Sequence, residues 1–214
     1  MNISFAKDAW TLDKITYAYS WRFEETPVFV QKDNCVESME NPAATYGFDN
    51  ISLLTKEKYH SGTEISTHCA FDAYGAPLIV IAKGMELDER GVWRYGEYIE
   101  VVLWEKGVNV WRMWNDQRKV TWKKLLGVEF PVTCVDAHPL SVTINADMLE
   151  IDADGHKMSL RVNDMYESFH LGIDACEGIN RFYDLKITEA YITKEDMPAA
   201  YLLLFYFSNF SIIV

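Results

Sequence analysis

Glu64, Ser66 and His68 alternate along Gly62–Phe71, with Ile65, Thr67, Cys69 and Phe71 between and beyond them. In a strand, period-two spacing puts the three polar side chains on one face. A carboxylate and an imidazole sharing a face can act as a general acid–base pair. Glu97–Glu105 alternates in the same way: Ile99, Val101 and Leu103 on one side, Tyr98, Glu100, Val102 and Trp104 on the other. If the two polar faces meet, Glu64, His68 and Glu100 are the catalytic candidates. Tyr98 and Trp104, with Arg112 and Trp114 from the next strand, are then the substrate-binding candidates. An Arg fork suits a planar carboxylate. The plain alternative is that Glu64, Ser66 and His68 form the solvated face of an antiparallel strand.

The elements that must carry these residues are strands. Ser20–Phe23, Pro27–Gln31, Asp49–Leu54, Gly62–Phe71, Glu97–Glu105, Val108–Asn115 and Lys119–Leu125 all read as strands. Leu78–Ala82 is apolar on both faces, as a covered central strand would be. Ser141–Asn145 and Met148–Asp152 form a hairpin, followed by the turn Asp154-Gly155. The chain closes on Arg181–Ile187. Lys106-Gly107 and Ala73–Pro77 are read as turns, and 33–46 as a long loop. Close, regular spacing of short strands predicts an all-β, two-sheet antiparallel sandwich with little helix. Residues 1–192 read as one domain. Ala199–Val214, uncharged over sixteen residues, falls short of the ~20 apolar residues of a spanning helix. It reads as a last strand or helix packed on the sandwich, a weak membrane anchor, or the product of a frameshift.

Charge and motifs exclude several classes. A net charge of −12 argues against nucleic acid, which needs clustered Lys and Arg. Arg118-Lys119 with Lys123-Lys124 is read as a solvated strand face. Nucleotide fingerprints, phosphate loops and Gly-x-Ser-x-Gly elbows are absent from the sequence. His60, His138, His156 and His170 lack metal spacing and are read as turn or surface residues. Glu150-x-Asp152-x-Asp154-Gly155 imitates the start of a calcium loop, but Arg161 stands where the bidentate Glu is needed. Met1–Asp8 has no apolar run or cleavage-like site, which predicts a cytoplasmic protein, or an exported one if a leader has been trimmed. Cys35, Cys69, Cys134 and Cys176 form no CxxC pair and are expected to be reduced, buried thiols.

Three stretches resemble the concanavalin A-like lectin/glucanase superfamily, the jelly-roll sandwiches that include laminin-G-like modules. They are Asp49–Leu54 leading into Gly62–Phe71, Gly96–Trp104 with Trp111, and the Asp154-Gly155 hairpin followed by His170–Ile173 and Arg181–Ile187. The resemblance spans roughly residues 10 to 190. It implies a jelly roll that binds an oligo- or polysaccharide across a concave sheet face, with aromatic stacking from Trp104 and Trp114. It also implies two alternatives: a glycoside hydrolase or polysaccharide lyase of the same fold, or a protein-interaction module. A hydrolase needs two carboxylates about 5–10 Å apart, and Glu64 with Glu100 is the pair nominated. The Glu-x-Asp-x-Glu strand motif of the laminarinase-like branch is absent, and so are the Arg, Gln-x-His and Tyr motifs of the alginate-lyase branch. In Glu97-Tyr98-Ile99-Glu100 the two acids point to opposite faces. The resemblance further implies a structural Ca2+ near the closing strand, with Asp184 as its ligand. The alternative is that Asp184 caps the strand face.

Overall fold

The computed structural model describes residues 1–21, 28–39, 50–116 and 119–189. These form two nine-stranded sheets. Sheet I runs, neighbour by neighbour, His156–Arg161, Met148–Ala153, His138–Asn145, Thr63–Phe71, Asn180–Phe182, Val36–Glu37 and Val30–Gln31. Asp184–Glu189 joins the same edge of Thr63–Phe71 as Asn180–Phe182, and Asn2–Ser4 pairs with it in turn. Sheet II runs Lys119–Glu129, Gly107–Asp116, Tyr98–Trp104, Pro77–Ala82, His170–Ala175, Ile51–Thr55, Ile15–Ser20, Trp93–Tyr95 and Glu86–Leu87. Every pair is antiparallel except Ile15–Ser20 with Trp93–Tyr95. Among the described residues no helix is present, and so none is long and apolar enough to cross a membrane. The apolar tail Ala199–Val214 lies outside the described residues, as do Asp49, Arg22, Phe23 and Pro27.

Alternation builds the core between the sheets. Sheet I contributes Ile65, Cys69 and Phe71 with Leu140, Val142 and Ile144; sheet II contributes Ile79, Ile81, Ile99, Val101, Leu103 and Ile173. Each such aliphatic or aromatic side chain contributes about 1.5–3 kcal/mol on full burial. Sheet II has a second apolar layer on its outer face: Ala18, Leu54, Leu78, Val80, Ala82, Tyr95, Tyr98 and Met113. That layer explains why Pro77–Ala82 is buried on both faces.

The closing strand is interrupted once. Asn180–Phe182 and Asp184–Glu189 lie along opposite ends of Thr63–Phe71, and the Tyr183 N–H still donates to the His68 carbonyl at 3.0 Å. The Asp154-Gly155 turn has φ of 54° and 82°, the two left-handed residues of a type I′ hairpin, which settles it as a turn. All four cysteines are free; Cys35 and Cys69 are buried, Cys134 and Cys176 half-buried. His138 and His170 depart from the surface positions expected of them. Both are buried, hydrogen-bonded to the carbonyls of Thr133 and Thr55 at 2.8 Å.

Arg181 ties three segments of sheet I together. Its Nε donates to Glu37 at 2.6 Å, and its two Nη atoms grip Asp72 at 2.8 and 3.1 Å. The Arg181 hydrogen bonds hold the Asp72 carboxyl below the ordinary carboxylate range. A depressed folded value means the contribution is present above the unfolded value, near 3.9, and is lost as pH falls through the folded one. Thermal unfolding followed from pH 5 downward is therefore expected to show Tm falling in acid, with a smaller fall in Asp72→Asn.

Candidate functional site

The outer face of sheet II is where predicted residues converge. Glu105-Lys106 forms a two-residue turn that sets Trp104 opposite Gly107, and so Glu100 opposite Trp111 and Tyr98 opposite Met113. Directly opposed residues share a face. The next pairing sets Met113 opposite Trp122. A shift between Val110 and Trp111 skips Leu125, admitting one extra residue in Lys119–Glu129. The result is a groove of about 400 Å3. Trp104, Trp111 and Trp122 line it with Glu100, Asn109 and Met113, and Glu177 stands at the Leu78 side. Glu100 is only 6% exposed, whereas Trp122 is 58% exposed. Lys124 Nζ lies 5.5 Å from the Trp111 ring and Lys106 Nζ 5.6 Å from the Trp104 ring. Both are cation–π contacts that fix the indoles.

A buried polar layer supports this face. Asp174, fully buried, accepts hydrogen bonds from Asn50 Nδ2 at 2.8 Å, from the Tyr95 hydroxyl at 3.0 Å and from Ser52 Oγ. Tyr95 and Tyr98 meet edge to face at 4.7 Å, and the Tyr98 hydroxyl pairs with Ser20 Oγ at 2.8 Å. Burial pushes both phenols well above their ordinary range, with Asp174 adding to Tyr95 and Glu100 to Tyr98. Both stay neutral donors at physiological pH.

Three expectations about the site need correction. Glu64 and His68 do not meet Glu100. Thr63–Phe71 belongs to sheet I and Tyr98–Trp104 to sheet II, and their polar faces point away from each other across the core. Glu64 with Glu100 is therefore not a pair that could flank one glycosidic bond. Arg112 and Trp114 face inward rather than onto the groove, because Arg112 is opposite Ile99. Arg112 donates to Glu97 at 2.9 Å and to the carbonyls of Asn163 and Asp164 at 2.6 and 3.1 Å. Burial pushes Glu97 up, but hydrogen bonds from Lys83 and Arg112 outweigh it and hold the carboxyl low. Tyr98 faces the groove side, but at 1% exposure it is a support beneath the floor.

Asp184 serves His68. One carboxylate oxygen accepts the His68 backbone N–H at 2.7 Å and the other meets His68 Nδ1 at 2.8 Å. Calcium takes six to eight oxygen ligands, and the two groups on the Asp184 carboxylate here are nitrogens of His68. Among the described residues no group of three or more His, Cys, Asp or Glu side chains could hold a metal. The residues around Asp184 do not fit the implied ion. Trp111, Trp122 and Asn109 are the groove residues that the sequence reading passed over. The signal for Trp111 and Asn109 was the tight turn, read at Lys106-Gly107 and formed by Glu105-Lys106. Trp122 sat inside a stretch judged by its lysines.

No protein-family model matches the chain, and no curated protein matches it in sequence. Solved structures do match it. β-Agarase A from Zobellia galactanivorans superposes with a TM-score of 0.61 at 11% identity, over 89% of this chain and 91% of that one. An immunostimulatory antigen and pseudo β-1,3-glucanase of Mycobacterium tuberculosis gives 0.53 at 11%, over 89% and 98%. A legume lectin-like domain from Entamoeba histolytica gives 0.52 at 14%, over 88% and 97%. The fold is the concanavalin A-like jelly-roll sandwich, as the resemblance implied.

Proposed function

We propose that the chain is a carbohydrate-binding protein whose site is the tryptophan groove on the outer face of sheet II. The observation that carries this reading is the convergence of Trp104, Trp111 and Trp122 with Glu100 and Asn109 in one groove of about 400 Å3. Sugar rings have apolar C–H faces and hydroxyl edges. Indoles offer large, flat surfaces to the first; a few fixed polar groups orient the second. Trp111 and Trp122 stack on the ring faces, and Glu100 and Asn109 take the hydroxyls. Solved neighbours named as an agarase and as a pseudo-glucanase make agaro- and β-gluco-oligosaccharides the first ligands to test.

Hydrolysis is a second reading, favoured by one observation: Glu100 and Glu177 both line the groove, and a glycosidase uses two carboxylates. A lyase loses support, because Arg112, its proposed uronate clamp, is engaged elsewhere. Calorimetric titration with these oligosaccharides, alongside an assay for reducing ends, separates the cases. Binding without release of reducing ends is expected. Release that disappears in both Glu100→Gln and Glu177→Gln would replace binding by hydrolysis. In either case Glu64→Gln and His68→Ala are expected to leave affinity within twofold, because those side chains belong to the opposite sheet.

A further inference from the structure

We propose that the cleft at the open edge between the two sheets is a second ligand site, selective for oxyanions. Its ligand is a sulfate or carboxylate group, either on a charged chain or as a small free anion.

The cleft holds about 380 Å3 and lies where Lys119–Glu129, an edge strand of sheet II, approaches His156–Arg161, an edge strand of sheet I. Arg112, Lys123, Lys124 and Arg161 line it, with Asp164 as the carboxylate among its lining residues. Three of these cations, Arg112, Lys123 and Arg161, converge against the net charge of −12 of the whole chain; the Lys124 Nζ lies over the Trp111 ring instead. The three come from three strands, so Lys123, read from the sequence as part of a solvated face, has support from Arg112 and Arg161.

The pairing makes the concentration costly. Arg112 and Lys123 sit directly opposite each other on adjacent strands, an arrangement in which like charges repel. Partial relief comes from Glu97 on Arg112 at 2.9 Å and from Asp147 on Arg161 at 3.3 Å. Glu97 is shared with Lys83 at 2.8 Å, so Glu97, Asp147 and Asp164 stand against Arg112, Lys123, Arg161 and Lys83, and positive charge remains. Among the described residues neither Lys123 nor Lys124 has a carboxylate within ion-pair distance. Arg112 is 8% exposed, and its Nε is buried without a hydrogen bond of good geometry, although the guanidinium lies 5.4 Å from the Tyr166 ring. Trp114 packs on the other side of the same guanidinium at 5.2 Å. Arg112 is therefore a fixed positive wall. Lys123 and Arg161, both exposed, are the groups free to close on a ligand from water.

An anion entering the cleft relieves the Arg112–Lys123 repulsion and gains charge-assisted hydrogen bonds from Lys123 and Arg161. The tryptophan groove lies on the other side of sheet II, so the two sites can be tested independently.

The test is calorimetric titration at low ionic strength with dextran sulfate oligosaccharide, oligogalacturonate and sodium sulfate, with neutral dextran as control. Lys123→Glu/Arg161→Glu is expected to weaken the charged probes at least tenfold and to leave binding of a neutral groove ligand unchanged. Trp111→Ala is expected to do the reverse. Raising the salt to near-molar concentration should weaken the charged probes only. Sodium sulfate binding as tightly as the oligosaccharides would identify a small-anion site; tighter oligosaccharide binding would identify a charged chain as the ligand. Equal affinity in the wild type and the double variant, or no binding of any charged probe, overturns the proposal. So does loss of the charged probes in Trp111→Ala alone. Lys123→Gln/Arg161→Gln, milder in charge, serves if the double reversal lowers Tm.

Discussion

Replacing Trp111 and Trp122 together by alanine is expected to lower oligosaccharide affinity by about two orders of magnitude or more. Truncating a Trp at the centre of a binding site costs about 2 kcal/mol or more, and each 1.4 kcal/mol is about tenfold in Kd. The two losses need not add, so two decades is a conservative expectation. The variant should remain folded. Trp122 is more than half exposed, and Trp111 packs against the outer layer of sheet II from its margin. Trp111→Ala also releases Lys124 from the indole face, removing an ordered cation from the groove wall. Trp114→Ala is the matched control: same strand, inward side, opposite the register of the groove. Calorimetry on the three variants should leave Trp114→Ala near wild type for neutral ligands. Equal losses in all three would mean that the strand rather than the groove face is what matters.

Asp174→Ala costs about 3–5 kcal/mol of folding free energy. The carboxylate is fully buried and accepts from Asn50, Tyr95 and Ser52. Removing it takes the shared acceptor from three buried donors. Tyr95 keeps Asn50 Oδ1 at 3.3 Å and Ser52 keeps the Tyr95 hydroxyl at 2.6 Å, so the loss is below the sum of about 1–3 kcal/mol per donor. Breaking a buried ionic group costs about 3–5 kcal/mol. The damage reaches the site, since Tyr95 packs against Tyr98 and Tyr98 underlies the face that carries Glu100. Asp174→Asn keeps the shape and part of the acceptor capacity, and should lose clearly less. Urea unfolding of both variants checks this; a loss below about 1 kcal/mol in Asp174→Ala would show that the layer does not hold the floor.

The frame was legible because alternation is local. Thr63–Phe71 and Tyr98–Trp104 show their inward faces in the order of the residues alone, and Pro77–Ala82 shows two buried faces by having no polar residue. Sheet membership is not local. Thr63–Phe71 and Pro77–Ala82 are consecutive and antiparallel-looking, yet they lie in different sheets, and that crossing separates Glu64 from Glu100. Register is decided by the turn. The two-residue turn Glu105-Lys106 sends Trp111 to the groove and Arg112 to the core side, and a turn one residue longer would reverse them. Trp122 was hidden by neighbouring lysines, which advertise a solvated face while the strand bulge brings its indole to the groove rim. Asp174 offered no pattern, because a lone acid in the apolar run His170–Ala175 gains its meaning from partners more than seventy residues away in sequence.

We propose the tryptophan face of sheet II as the carbohydrate site. The most direct measurement follows the indole N–H signals of the isotope-labelled protein while a neutral agaro- or β-gluco-oligosaccharide is added to millimolar concentration. The signals of Trp104, Trp111 and Trp122 are expected to move together and saturate, while those of Trp10, Trp93 and Trp114 stay in place. Shifts confined to the second group, or amide shifts centred on Glu64–His68 with the groove indoles unmoved, would contradict the account.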